Sequence, residues 1–151
     1  MIITFCGHSD YVPSVGDEQK ILSILSEKIG EEDAELYLGG YGAFDAFAKK
    51  CGREYQKTHP RTKLVFVTPY LPKDDEKQNG RAPDDRYDEI VYPSLEHVPL
   101  RFAILRRNEW MVEQADLVIA YVRHEWGGAY ATYRHALQMQ KTVYNLAEKL
   151  W

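Results

Sequence analysis

"LYLGGYGAFDAFAKK", residues 36–50, decides how this chain folds. An apolar, strand-like end runs into a glycine-rich turn. Without a spacer, the turn opens into a stretch whose apolar positions, Phe44, Phe47, Cys51 and Tyr55, recur at helical spacing. A strand that passes straight into a helix is half of a βαβ unit, and such units build parallel sheets. The glycines themselves allow two readings. Gly39, Gly40 and Gly42 are residues that let a strand turn into a helix at little steric cost. They are equally residues whose bare backbone amides can approach an anion at the positive end of the helix behind them.

Working outward, short runs rich in β-branched and aromatic residues recur at 2–6 (IITFC), 35–38 (ELYL), 63–67 (KLVFV), 116–122 (DLVIAYV) and 142–146 (TVYNL). Their nearly continuous hydrophobicity fits strands covered on both faces. Helical periods lie between them. Residues 17–29 place Ile21, Leu25 and Ile29 on one stripe, Leu100, Ile104, Met111 and Ala115 mark a third helix, and Tyr130, Tyr133 and Leu137 a fourth. The alternation predicts a three-layer, doubly wound α/β sandwich with a parallel, Rossmann-like sheet of order 3-2-1-4-5.

One stretch departs from the alternation. Residues 69–93, PYLPKDDEKQNGRAPDDRYDEIVYP, are dense in charge and proline, too long for an ordinary connection, and carry only a brief strand-like EIVY. They read as a solvated insertion, or as a lid that touches a ligand through Tyr70, or through Arg86 and Tyr87.

Size and charge bound the function. The 151 residues, 44% of them hydrophobic, suit one domain spanning 1–151 with a proper core. A formal net charge of -4 gives no general attraction to nucleic acid, which argues against a nucleic-acid partner. Cys6 and Cys51 fall at the end of an apolar run and on a helical stripe, where buried, reduced thiols are expected. The chain shows no leader pattern and no run near the roughly 18 apolar residues that span a bilayer. A cytoplasmic protein without membrane attachment is the expectation.

Ligands of such sheets bind beyond the carboxyl ends of the strands, where the strand order reverses. Three glycine-bearing loops leave those ends: CGHSDY (6–11), GGYGAFD (39–45) and RHEWGGAYAT (123–132). Neither a G-x-G-x-x-G fingerprint nor a G-x-x-x-x-G-K-[ST] loop is present, so no dinucleotide or other cofactor is expected. Arg107 stands on the otherwise apolar stripe of the third helix. It is either a structural pair or snorkelling side chain, or a fork reaching a bound phosphate or carboxylate.

Asp45 reads as a cap in the first turn of its helix. Ser9 and Asp10 are turn residues, of which the serine hydroxyl could hold a phosphate. His8 and His124 each stand alone in sequence, without a second ligand at metal spacing, so no metal site is expected. Glu125 is an exposed loop carboxylate or a general acid–base near the glycines. Tyr41, Trp126 and Tyr130 could stack on a base or anchor their loops.

Taken together, LGGYGAFDAFA, RRNEWMVEQADLVIAYV and WGGAYATYRHAL resemble the SLOG superfamily, which groups the lonely-guy phosphoribohydrolases with the DprA proteins. The resemblance covers most of the chain outside 69–93. Arg107, Asn108 and Met111 match the spacing of the phosphoribohydrolase R-K-x-x-M pattern, and Asp116 falls where that pattern leads to an Asp. Gly127, Gly128 and Thr132 are similar to the G-G-x-G-T turn, which the resemblance implies holds a nucleotide phosphate. The spacing is stretched by one residue, however, and Tyr133 and Arg134 stand where the catalytic glutamate belongs.

What the resemblance implies is therefore binding more directly than reaction. The expected ligand is a nucleotide or nucleotide-derived, phosphate-bearing small molecule. Gly39, Gly40, Tyr41, Gly42 and Asp45 would face one part of it, and Gly127, Gly128 and Thr132 would hold the phosphate. Arg107 would supply charge, while Gly7, His8 and Ser9 would close the floor. The alternatives are a phosphoribohydrolase or N-glycosidase acting on nucleoside monophosphates, with Arg107 and Glu125 as catalytic residues, and a DprA-like DNA-binding protein. A homo-oligomer is implied by the resemblance.

Overall fold

Successive side chains of a strand point to opposite faces, so a strand that is apolar throughout needs a helix layer on each side. The computed structural model describes residues 1–71 and 87–147. It places β1 at Ile2–Gly7, α1 at Asp17–Ile29, β2 at Ala34–Leu38, α2 at Ala43–Gln56, β3 at Thr62–Val67 and β4 at Glu89–Val91. A 3-10 turn at Leu100–Phe102 then leads into α3 (Ala103–Gln114), β5 (Leu117–Tyr121), α4 (Gly127–Gln138) and β6 (Thr142–Asn145). The six strands form one sheet of order β4-β3-β2-β1-β5-β6, parallel at every pairing.

The two faces divide the core cleanly. Ile3, Phe5, Leu36, Leu38, Leu64 and Ile119 pack beneath α1 (Ile21, Leu25, Ile29) and α2 (Phe44, Ala48, Cys51, Tyr55). On the other face, Cys6, Val118 and Ala120 meet Val112 of α3 and Ala136 of α4, while Tyr37, Val65 and Val67 meet Met111. This is the doubly wound, three-layer Rossmann-like architecture that the alternation predicts. The expected order of five strands is preserved, and EIVY adds a sixth at the edge. Asp88, just ahead of β4, fixes that edge by accepting hydrogen bonds from the Leu64 amide (2.8 Å), Gln56 (2.8 Å) and Arg53 (3.1 Å).

Two helix phases differ from the sequence reading. On α3 the inward residues are Ala103, Arg107, Met111 and Val112, whereas Leu100 and Ile104 are largely exposed. On α4 the buried residues are Thr132 and Ala136, and Leu137 is exposed. In both, a small residue, Ala103 or Ala136, is buried while the large apolar residue next to it, Ile104 or Leu137, is exposed. Cys6 and Cys51 are buried free thiols. Among the described residues, no helix is long and apolar enough to cross a membrane.

The sheet order reverses at β1, which has β2 on one side and β5 on the other. Asp116 lies at the opposite end of these strands from the glycine loops. Its carboxylate accepts from the Ile2 amide at 2.8 Å and its own amide donates to the Ile2 carbonyl at 2.7 Å, tying β5 to β1.

Candidate functional site

Beyond the carboxyl ends of β1 and β5 lies a cleft of about 440 Å³. Its floor is the end of β1 with Gly7, His8 and Ser9. One wall is α3 with Arg107 and Asn108, and the other is the loop after β5 with His124, Trp126, Gly127 and Gly128. Tyr41 reaches it from the loop after β2, Asp45 from the first turn of α2, and Thr132 from the second turn of α4. Residues from all three glycine loops are thus brought together at the strand-order reversal, as the general rule for open α/β sheets anticipates.

The first glycine turn does not line the cleft with its glycines. A Cβ on Gly39 would stand 2.9 Å from Arg107 Cζ, one on Gly40 2.9 Å from Phe66, and one on Gly42 3.0 Å from the Ser9 backbone. Gly40 and Gly42 also have positive φ, at +72° and +91°. The amides of this turn are engaged by the protein's own groups. Asp45 Oδ2 accepts from Gly39 at 3.1 Å and, more weakly, from Tyr41 at 3.4 Å. The Ser9 carbonyl accepts from Ala43 in the first turn of α2. Gly7 is likewise fixed by packing, since a Cβ there would overlap the Phe44 ring at 2.3 Å.

Arg107 is buried, at 4% exposure, and joins α3 to the ends of two strands. Its Nη1 donates to the carbonyls of Val67 (2.8 Å) and Gly39 (3.1 Å), and its Nε donates to Asn108 Oδ1 (2.8 Å). A guanidinium has five N–H donors. Those three bonds leave the two on Nη2 without an acceptor among the described residues, on a side chain that lines the cleft. Burial lowers the Arg107 pKa and the nearby Asp45 carboxylate opposes that, so the side chain remains a cation. Burial raises Asp45 to about 6, against the lowering effects of the Tyr41 amide, Arg107 and the Gly39 amide.

The second glycine turn is open. Gly127 has φ +88°, and a Cβ on either Gly127 or Gly128 would meet no atom within 4 Å. Trp126 occupies the N-cap position of α4 without a side-chain cap. The first amides of a helix have no intrahelical acceptor, so α4 presents its positive end to the cleft through Gly128 and Ala129. Thr132, buried, donates its hydroxyl to the Gly128 carbonyl at 3.0 Å and steadies this turn.

His8 and His124, isolated from one another in sequence, come together here. Their rings stack at 3.7 Å between centroids, and Trp126 stacks on His124 at the same spacing. His8 Nε2 accepts from the Arg123 amide at 3.0 Å, which fixes it as the neutral tautomer protonated on Nδ1. Burial, His124 and Arg123 lower the His8 pKa, outweighing Asp10. His124 Nδ1 is sealed from solvent without a partner among the described residues, a state that costs about 1–3 kcal/mol.

Of the remaining candidates, Glu125 is exposed and does not line the cleft, and Tyr130 packs near Tyr133 with its hydroxyl accepting from Arg134. Tyr70 is exposed, its amide bonded to Thr68, and Tyr87 packs edge-on against Phe66. Arg86 lies outside the described residues. Cys6, Ile104 and Asn108 line the cleft and were not singled out as ligand contacts by sequence. Burial, with a smaller effect of Asp45, pushes the Cys6 thiol up to about 12, which disfavours the thiolate.

No protein-family model matches the chain, and no curated protein matches it in sequence. Solved structures do share its fold. DNA processing protein A of Streptococcus pneumoniae aligns with TM-score 0.59 and 15% identity over 93% of this chain and 48% of its own. The corresponding protein of Helicobacter pylori, which binds single-stranded DNA, aligns with TM-score 0.58 and 17% identity over 95% of this chain and 63% of its own. The molybdenum cofactor carrier protein of Chlamydomonas reinhardtii gives 0.52 and 16%, over 94% of this chain and 73% of its own. The chain therefore spans less than two thirds of either DNA processing protein. Its architecture is the Rossmann-like fold of these proteins.

Proposed function

We propose that this chain binds a small, phosphate-bearing ligand of nucleotide type in the cleft between β1, α3 and α4. The observation that carries this reading is the open N-terminus of α4. Gly127 and Gly128 keep it clear of side chains, no side chain caps it, and the same cleft holds a buried arginine with two donors that have no acceptor among the described residues. Aligned amides and a fixed guanidinium both favour phosphate oxygens. That fold relatives carry a molybdenum cofactor or bind single-stranded DNA is compatible with a phosphate-bearing guest. A small ligand is preferred to nucleic acid because the chain carries a net charge of -4 and the site is a bounded cleft.

Thermal unfolding of the protein with a panel of nucleoside mono-, di- and cyclic phosphates tests this. Stabilisation by at least one compound is expected, and Gly128→Asp, which sets a carboxylate where the phosphate would sit, should abolish it. A flat response to the whole panel would refute the reading.

A second reading, hydrolysis of an N-glycosidic bond, is favoured by one observation. Of the two carboxyl groups that line the cleft, Asp10 and Asp45, Asp45 is poised near neutrality at about 6, and Glu125 does not line it. A general acid works best with a pKa near the operating pH. Release of free base from nucleoside monophosphates, lost in Asp45→Asn but retained in Glu125→Gln, would support hydrolysis; absence of turnover would leave binding alone.

A further inference from the structure

The lining of the cleft is short of positive charge. Among the described residues that form it, one guanidinium, Arg107, stands against two carboxyl groups, Asp10 and Asp45. A phosphate that enters as an anion adds to an excess of negative charge. Resting on the binding reading above, we propose that the phosphate is bound together with one proton, taken from solvent onto the Asp45 carboxylate, so that pH sets the affinity of the cleft.

A shared anchor ties the two charges together. Asp45 Oδ2 accepts from the Gly39 amide at 3.1 Å, and Arg107 Nη1 donates to the Gly39 carbonyl at 3.1 Å. Carboxylate and guanidinium thus hold the two ends of one residue's backbone and lie within each other's field. A phosphate that accepts from Arg107 Nη2 competes with Asp45 for the same positive charge.

The carboxyl group is already set for the exchange. Burial holds Asp45 at about 6, with the Tyr41 amide, Arg107 and the Gly39 amide acting against it. A second anion in the cleft acts in the same direction as burial, so a proton that Asp45 releases near neutrality in the empty site is kept once the anion is bound. Oδ2 stays with the Gly39 and Tyr41 amides, and Oδ1 takes the proton.

The neighbours favour this carboxyl group as the carrier. Facing the cleft with Asp45 are Cys6 of β1, His8 and Asp10 of the loop after β1, Tyr41, Arg107 and His124, while Tyr70, beyond β3, acts on Arg107. The Cys6 thiol, pushed up to about 12 by burial, carries no charge near neutrality. Burial lowers the His8 pKa, and its Nε2 accepts from the Arg123 amide, so its ring is held neutral.

The experiment titrates the full chain with sulfate, a tetrahedral dianion that holds no proton near neutrality, at constant ionic strength and a series of pH values. Wild-type affinity should fall about tenfold as pH rises from about 5.5 to about 7.5. Asp45→Asn, which keeps an oxygen for the two amides and cannot ionise, should bind about tenfold more tightly than the wild type at the upper pH and show no such dependence. That gain of affinity is an effect that loss of structure would not produce. Asp10→Asn should retain the dependence. A flat wild-type profile would overturn the proton coupling while leaving anion binding intact, as would a dependence that survives in Asp45→Asn, and so belongs to His8 or His124, or one that is lost in Asp10→Asn. No binding of sulfate at any pH would overturn it together with the reading it rests on.

Discussion

The two glycine turns at the carboxyl end of the sheet look alike in sequence and are used in opposite ways. In the Gly39–Gly42 turn every missing side chain is filled by a neighbour: Arg107, Phe66 or the Ser9 backbone. Its amides already hold an anion, the carboxylate of Asp45. In the Gly127–Gly128 turn the missing side chains face open space, and no side chain caps the helix behind them. The first pair of glycines lets the protein pack against itself, and the second leaves a surface unused. A glycine turn therefore indicates a ligand only when nothing in the protein already occupies the room it makes.

This contrast can be broken by substitution. The largest effect is expected at the group that fills the first turn. Arg107→Ala leaves the Gly39 and Val67 carbonyls without their donor and removes the positive charge near the Asp45 carboxylate, and should cost about 3–5 kcal/mol, lowering the thermal midpoint by roughly 10 °C. Next, Gly40→Ala combines a φ of +72° with a Cβ 2.9 Å from Phe66 and should cost about 2–3 kcal/mol in urea unfolding. A loss below about 0.5 kcal/mol there would show that the first turn is not packed as described.

Asp45→Asn sharpens the comparison through pH. The folded carboxyl group sits at about 6, above its ordinary 3.8, so the folded chain holds a proton that the unfolded chain releases in that window. Wild-type stability relative to Asp45→Asn should therefore be greatest below the ordinary value and fall as pH rises through about 6, by on the order of 2 kcal/mol in all. Urea unfolding of both proteins from pH 4 to 7 measures it, and a difference that grows with pH would contradict the buried setting of Asp45. The smallest effect belongs to the open turn. Gly128→Ala should change stability by less than about 0.5 kcal/mol, because its Cβ meets nothing. A loss as large as that of Gly40→Ala would erase the distinction between the turns.

Much of the fold was legible because β1, β2, β3 and β5 are buried on both faces or nearly so, which writes itself as largely apolar runs, while the partly buried edge strand β6 still shows its β-branched and aromatic residues. β4 has only three residues and owes its place to Asp88 reaching across to α2 and β3, so local pattern alone could not establish it. The inward turn of Arg107 could be read from its spacing to Met111, yet the exposure of Ile104 on the same helix could not, since it is Ala103, the residue before it, that faces inward.

The site follows the same division. That three glycine loops gather at one end follows from the order of elements. Which of them is occupied depends on residues distant in sequence, Arg107 against Gly39 and Phe66 against Gly40, and no local pattern encodes that. The pairing of His8 with His124 is likewise a product of β1 lying beside β5.

Cys6 sits on the inner lining of the cleft, nearly hidden and with its thiol pushed up to about 12, while Cys51 is completely enclosed beneath α2 with the same displacement. Maleimide added to the native protein should find neither sulfur in its reactive form. The two thiols thus report separately on the two helix layers, Cys51 on loosening of the α1/α2 layer and Cys6 on loosening of the α3/α4 layer.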